Sequence, residues 1–216
     1  MKKKILFSIM VMALVAMLLG TGIYAYFSDV ETSTGNSFAA GTLNLKVGGD
    51  DPTSASISVS GLKPGDAGNA ADWFVKNVGT LSGNLSISVG TITNYENERT
   101  EPEESAGDIS SGQTEGELGS FLKVAMWLDM DKSGSWNSND IALRSNGSIL
   151  VNDGDDELPY DYLNNYGGKS YASIVTLSGN GEFRFMVDYD FPSDPNDDRT
   201  QSDSAEFELT FTLNQA

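Results

Sequence analysis

The sequence predicts an all-β protein: a jelly-roll-like two-sheet β-sandwich with short connecting helices, behind a cleaved amino-terminal signal peptide. Period-two alternation of apolar and polar residues from Gly41 onward marks strands with one buried face and one wet face. Turn signals recur at short intervals, at Lys63-Pro64-Gly65-Asp66, Asn77-Val78-Gly79-Thr80, Gly167-Gly168 and Ser178-Gly179-Asn180-Gly181. Beyond the signal, no stretch carries an apolar stripe at helical spacing, so helices are expected only as short connectors, above all within 155 to 172.

The chain opens on Lys2, Lys3 and Lys4, an apolar run from Ile5 to Leu19, and Gly22-Ile23-Tyr24-Ala25-Tyr26-Phe27-Ser28-Asp29. A basic head, an apolar core of about 15 residues and a small residue after a short polar step form a secretory signal. Ala25 supplies the small side chain that a signal peptidase accepts, which places the cut between Ala25 and Tyr26; Ile23 is bulkier than such a pocket prefers. The alternative is an uncleaved anchor helix, for which the run falls short of the ~20 residues a bilayer requires. The expected division is a signal peptide at 1–25, an arm at 26–40 and a sandwich domain at 41–216.

Within the sandwich, Leu43, Leu45 and Val47 alternate with Asn44 and Lys46, and Ile57 and Val59 alternate with serines, as do Leu85, Ile87 and Val89. Leu122, Val124, Met126 and Leu128 form one face of a strand whose other face carries Phe121, Lys123, Ala125 and Trp127, so that strand is expected to be covered on both sides. Phe183 to Tyr189 and Phe207 to Leu213 alternate most cleanly and are expected to be antiparallel neighbours. Residues 91–120, rich in Glu, Ser and Gly, read as a long, mobile, solvated surface loop.

The formal charge is −18, and it becomes −21 once the signal removes three lysines and no acid. Such a surface disfavours nucleic acid and anionic lipid, leaving membrane contact only to the signal during export, and makes copies of the chain repel one another at low salt. Salt and bound cations are therefore expected to promote assembly. There is no cysteine, so the fold rests on its core or on metal ions rather than disulfides.

Ala25 to Asp29, the following Glu31-Thr32-Ser33-Thr34-Gly35-Asn36-Ser37-Phe38-Ala39-Ala40-Gly41-Thr42-Leu43-Asn44-Leu45, Ser60 to Asp66 and Asp72 to Leu81 together resemble the TasA and camelysin family of secreted biofilm-matrix proteins. The resemblance covers roughly residues 20 to 90. It implies a jelly-roll subunit that a signal peptidase releases and that joins identical copies into extracellular or cell-surface fibres by donor-strand exchange. Tyr26, Phe27, Ser28, Asp29, Val30, Glu31 and Phe38 are then the donor-strand residues. Such an arm adds main-chain hydrogen bonds to a neighbour's open sheet edge while alternate side chains enter its core. The alternative is an arm that folds back as an edge strand of its own domain.

A further signal is independent of the family. From Asp129 to Asp140, oxygen-bearing side chains fall at loop positions 1, 3, 5, 9 and 12, with Gly134 at position 6 where a calcium loop turns sharply. Asp129, Asp131, Ser133, Asn137 and Asp140 would offer side-chain oxygens and Ser135 its carbonyl. Asp140 replaces the bidentate glutamate of sensor hands, and the loop follows a strand rather than a helix. A solvated hairpin is the plain alternative. The acidic runs at 152–157 and 194–198 read as solvated turns, and Asn84 and Asn146 stand in Asn-x-Ser settings that a glycosylating cell could modify.

A structural, non-enzymatic subunit is the leading expectation. The resemblance also implies a metalloendopeptidase, but zinc hydrolases draw on imidazole ligands and this chain has no histidine. A monomeric calcium-bound adhesion or carbohydrate-binding sandwich is the third reading, with Trp136, Tyr160, Tyr162 and Tyr166 as sugar-stacking aromatics.

Overall fold

The computed structural model describes residues 41–49, 54–193 and 197–216. The expected signal peptide, the expected Ala25–Tyr26 cleavage junction and the expected donor-strand residues Tyr26 to Glu31 and Phe38 lie outside them. The strands are β1 (Leu45–Val47), β2 (Ser54–Ser60), β3 (Ala67–Asn77), β4 (Gly83–Val89), β5 (Thr93–Tyr95), β6 (Lys123–Asp129), β7 (Ile141–Leu143), β8 (Ile149–Val151), β9 (Asp161–Tyr162), β10 (Ser170–Leu177), β11 (Glu182–Asp190) and β12 (Ser204–Gln215). Two short helices, α1 (Glu101–Ser105) and α2 (Leu118–Phe121), lie between β5 and β6, and single 3-10 turns cover Leu163–Tyr166 and Asp197–Thr200.

One sheet runs β1-β3-β11-β6-β7-β8 with β9 also on β6, the other β10-β4-β12-β2 with β5 also on β12. Every pairing is antiparallel. From β2 to β4 and again from β10 to β12 the chain changes sheet at each step, the interleaving of a jelly roll. Among the described residues no helix is long and apolar enough to cross a membrane.

Alternation in sequence becomes alternation in burial. Leu85, Ile87 and Val89 of β4 point into the core while Asn84, Ser86 and Ser88 are half-buried on the other face. The core between the sheets is continuous from Val75, Phe185 and Leu128 to Leu85, Leu209 and Phe211. Strand β6 is buried on both faces, as its sequence predicts: Val124, Met126 and Leu128 face the main core, and Trp127 packs outside with Ala142, Met186, Trp136, Leu150 and Leu158.

Two expectations are corrected. Strands β11 and β12 are not neighbours; they face each other from opposite sheets, with the Phe185 and Phe211 rings edge to face at 5.2 Å. Each already has partners on both sides, β3 and β6 for one and β2 and β4 for the other, so their shared apolar periodicity reflects packing across the core. Residues 91–120 are not a solvated loop: they form β5, α1 and α2 and bury Glu96, Glu103, Asp108, Ser110 and Leu118. Carboxylates there act as internal acceptors for backbone N–H groups: Glu103 accepts from Thr100, and Glu115 Oε2 accepts from Ser111 at 3.0 Å and Gly112 at 2.8 Å. The turn at Leu163–Tyr166 lies inside the expected 155–172 window, whereas α1 and α2 lie outside it.

The Asn77-Val78-Gly79-Thr80 turn joins β1, β3 and the β10–β11 connection. Asn77 is fully buried; its amide donates to the carbonyls of Leu81 at 2.7 Å, Ser178 at 3.2 Å and Leu177 at 3.3 Å, and its oxygen accepts from Gly79 N at 3.0 Å. A Cβ at Gly79 would stand 2.2 Å from the Thr42 carbonyl, so only glycine fits there. Asn77→Ala removes the hydrogen bonds to three carbonyls and leaves the buried Gly79 N–H without its acceptor, and is expected to cost about 2 to 3 kcal/mol in denaturant unfolding.

Candidate metal centre

Strand register builds the first acidic site. Leu128 of β6 pairs with Ile141 of β7, so the residues just beyond that pair, Asp129 and Asp140, meet at the mouth of the hairpin. Both are fully buried, and Asp131 from the exposed loop joins them, with carboxylate oxygens of all three within 4.8 Å of one another.

The loop is organised by its carboxylates. Asp129 accepts from Ser133 N at 3.1 Å and Gly134 N at 2.7 Å; Asp140 accepts from Met130 N and Asn137 N, both at 2.9 Å; Asp131 accepts from Ser133 N at 3.0 Å. Ser133 Oγ and the Ser135 carbonyl stand 2.9 and 3.0 Å from the Asn137 amide nitrogen, which also faces Asp131 at 3.3 Å. Sequence positions 1, 3, 5, 7, 9 and 12 of the loop thus converge, and half a turn of the Asn137 amide brings its oxygen to the same point. Gly134 takes φ +74°, and a Cβ there would meet Arg184 Nη1 at 2.9 Å. Arg184 in turn makes a two-point ion pair with Asp72 on the neighbouring strand.

The electrostatics divide the three acids. Hydrogen bonds from the Ser133 side chain and backbone hold exposed Asp131 below the usual carboxylate range. Burial pushes Asp140 up, against the pull of the Met130 and Asn137 N–H groups and with the push of Asp129 and Asp131. An oxygen-only set of this kind matches hard cations such as calcium or magnesium rather than zinc.

The aromatics expected to stack on sugar do not form one row. Tyr166 is fully buried, its hydroxyl donating to the carbonyls of Val124 or Pro159, each at 3.3 Å. Trp136 packs edge-on against Trp127 at 5.6 Å and donates to the Asp156 carbonyl at 2.8 Å. Tyr160 and Tyr162 stay exposed, and Lys123 lies over the Tyr162 ring at 5.5 Å.

A second gathering of acids was not legible in sequence. Glu96, Glu103, Asp108 and Glu117 of the β5–β6 insertion meet Asp203, which precedes β12 by one residue. The available signal was the density of glutamates among few apolar residues, which reads equally as a solvated loop.

The strands that end each sheet differ in length and regularity. Among the described residues β1 and β8 end one sheet and β10 and β2 the other. Strands β1 and β8 have three residues each, and β10 is broken by a register shift between Tyr171 and Val175. Strand β2 keeps unbroken register with β12 from Ser54 to Ser60, has no charged residue and carries Ile57 and Val59 into the core.

No curated protein and no solved structure matches this chain. The family model described as camelysin metallo-endopeptidase matches residues 1–216, its whole length. With the jelly-roll sandwich and the amino-terminal motifs already described, this match establishes that the chain belongs to the TasA and camelysin family.

Proposed function

We propose that this protein is an exported, non-enzymatic structural subunit that polymerises by donor-strand exchange into extracellular filaments. The reading rests foremost on β2, a regular and uncharged edge that can accept a strand, in a chain whose sandwich follows a 15-residue arm at 26–40. Release of the signal after Ala25 would free Tyr26 to Phe38 to add to the β2 edge of the next copy. Head-to-tail contacts of that kind do not close and therefore propagate. Identical subunits are the principal partner, and signal peptidase a transient one.

The family is described as one of metallo-endopeptidases, but a zinc peptidase centre does not fit these residues. The chain offers neither histidine nor cysteine, and its acidic clusters supply oxygen donors alone. Electron microscopy of purified protein beginning at Tyr26 tests the proposal. Filaments with no casein cleavage are expected; a persistent monomer, or proteolysis that co-purifies with the chain, would overturn it.

We assign calcium to the β6–β7 loop, with Asp129, Asp131, Ser133, Asn137 and Asp140 as side-chain ligands and Ser135 through its carbonyl. Chelation is then expected to lower the melting temperature, since a ligand at 100 times its Kd stabilises the fold by about 2.7 kcal/mol. Asp131→Ala should reduce by one the calcium ions bound per chain in a calorimetric titration, and an unchanged stoichiometry would leave the loop a simple turn.

A further inference from the structure

We propose that the β5–β6 insertion holds a hard divalent cation, calcium above all, in a buried nest of carboxylates from Glu96, Glu103, Asp108, Glu117 and Asp203. The site is separate from the β6–β7 loop and does not depend on the filament reading. Glu103 is fully buried, and Asp203, Asp108 and Glu96 are exposed by only 3, 6 and 8%. Oxygens of Glu96, Glu103 and Asp203 lie within 4.8 Å of one another, as do those of Glu96, Asp108 and Glu117, so Glu96 is common to both groups. Oxygens sharing one calcium ion at about 2.3–2.6 Å stand no more than about 5 Å apart, so either group can close on an ion.

One observation beyond the clustering points to a cation. Glu96 Oε1 and Asp203 Oδ1 belong to side chains more than nine-tenths buried and accept no hydrogen bond from any described residue; Glu117 Oε2 is also enclosed without a partner. A carboxylate oxygen shut away from both water and donors is strongly unfavourable unless positive charge reaches it. Ser110 serves the remaining oxygens: its Oγ stands 2.6 Å from Glu96 Oε2 and 2.7 and 2.8 Å from the two oxygens of Asp108, and its N–H donates to Asp108 Oδ1 at 2.7 Å.

Among the described residues, no hydrogen bond from the nearby arginines reaches Glu96 Oε1, Asp203 Oδ1 or Glu117 Oε2. Arg99 and Arg199 stand close enough to act on Asp108. However, Arg99 directs its guanidinium to Glu104 Oε1 at 3.0 Å and the Ser110 carbonyl at 3.0 Å, and Arg199 Nε donates to the Ala106 carbonyl at 3.1 Å. In either group, three carboxylates of flexible denticity suit calcium's variable oxygen shell better than the small, strict octahedron of magnesium. The site also has a structural consequence. Asp203 accepts from the backbone N–H of Glu117 at 2.6 Å and Leu118 at 3.1 Å, and Glu103 accepts from Ser202 N at 3.1 Å. A cation bound among these groups would fasten the insertion to the start of β12.

The test uses the Asp131→Ala protein, so that the β6–β7 loop does not contribute, stripped with chelator and titrated with calcium chloride to about 5 mM, above the range of extracellular calcium modules. Calcium binding by calorimetry and a rise of several degrees in melting temperature are expected. Adding Glu96→Gln and Asp203→Asn should weaken binding at least tenfold and abolish that rise. The same changes should raise the melting temperature of the chelated protein, because buried repulsion is removed, whereas carboxylates serving only as hydrogen-bond acceptors would leave it lower. Should the triple variant fail to fold, Glu117→Gln on the Asp131→Ala background, at a half-buried position, should weaken binding several-fold. No calcium response in the Asp131→Ala protein, or an affinity unchanged by these substitutions, would overturn the proposal.

Discussion

Deleting Tyr26 to Ser37 is expected to abolish filaments altogether while leaving a folded, soluble monomer. The arm's role in strand exchange would be to supply main-chain hydrogen bonds and apolar side chains to the next copy, so no other element can replace it. The sandwich from Gly41 to Ala216 has its own continuous core, and its sheets pair without the arm among the described residues. Negative-stain microscopy and sedimentation velocity on the deleted and intact proteins would read the loss directly. Filaments that persist after the deletion would show that subunits join through another surface. A deleted protein that no longer folds would place the arm inside its own sandwich as an edge strand. Charge adds a second handle. At −18 for the whole chain and −21 without residues 1–25, copies of the chain repel, so the proposed assembly should accelerate with added salt and calcium.

Phe185→Ala is expected to destabilise the sandwich by about 3 to 5 kcal/mol, the usual cost of removing a fully buried phenylalanine. Phe185 lies in the central strand β11 with no solvent exposure. Its ring stacks on Trp73 of β3 at 6.4 Å with planes 13° apart and meets Phe211 of β12 edge to face at 5.2 Å. It therefore ties two strands of one sheet to the centre of the other, and truncation removes both aromatic contacts and leaves a cavity that neighbours on regular strands cannot easily fill. Urea unfolding would report this as a fall in midpoint at constant slope. A loss below about 1 kcal/mol would mean that the sheets close over the gap, and would move the anchor of the sandwich elsewhere.

Much of this architecture was legible from the chain alone. Alternation located β1, β2, β4, β6, β11 and β12 and the faces they bury, because a strand's period of two maps directly onto inside and outside. The double coverage of β6 was readable because both of its faces are apolar. The loop from Asp129 to Asp140 was readable because its oxygen-bearing residues and glycine recur at fixed spacing within twelve positions.

Where reading failed, the missing information was long-range. Nothing in Phe183–Tyr189 or Phe207–Leu213 says whether two apolar faces pair edge to edge or pack face to face; that depends on β3, β6, β2 and β4 having taken the hydrogen-bonding edges. The insertion at 91–120 looked solvated because its composition is acidic, and composition does not reveal that Asp203, 86 residues beyond Glu117, arrives to accept two of its N–H groups.

The sequence by itself determined the class of fold, the sign of the surface, the lack of histidine and cysteine as donors and the family, since these follow from local periodicity, residue type and short motifs. Tertiary structure alone decided which strands became neighbours, which strands end a sheet among the described residues and which carboxylates lost their water. Those outcomes arise when segments distant in the chain compete for the same hydrogen bonds and the same buried volume.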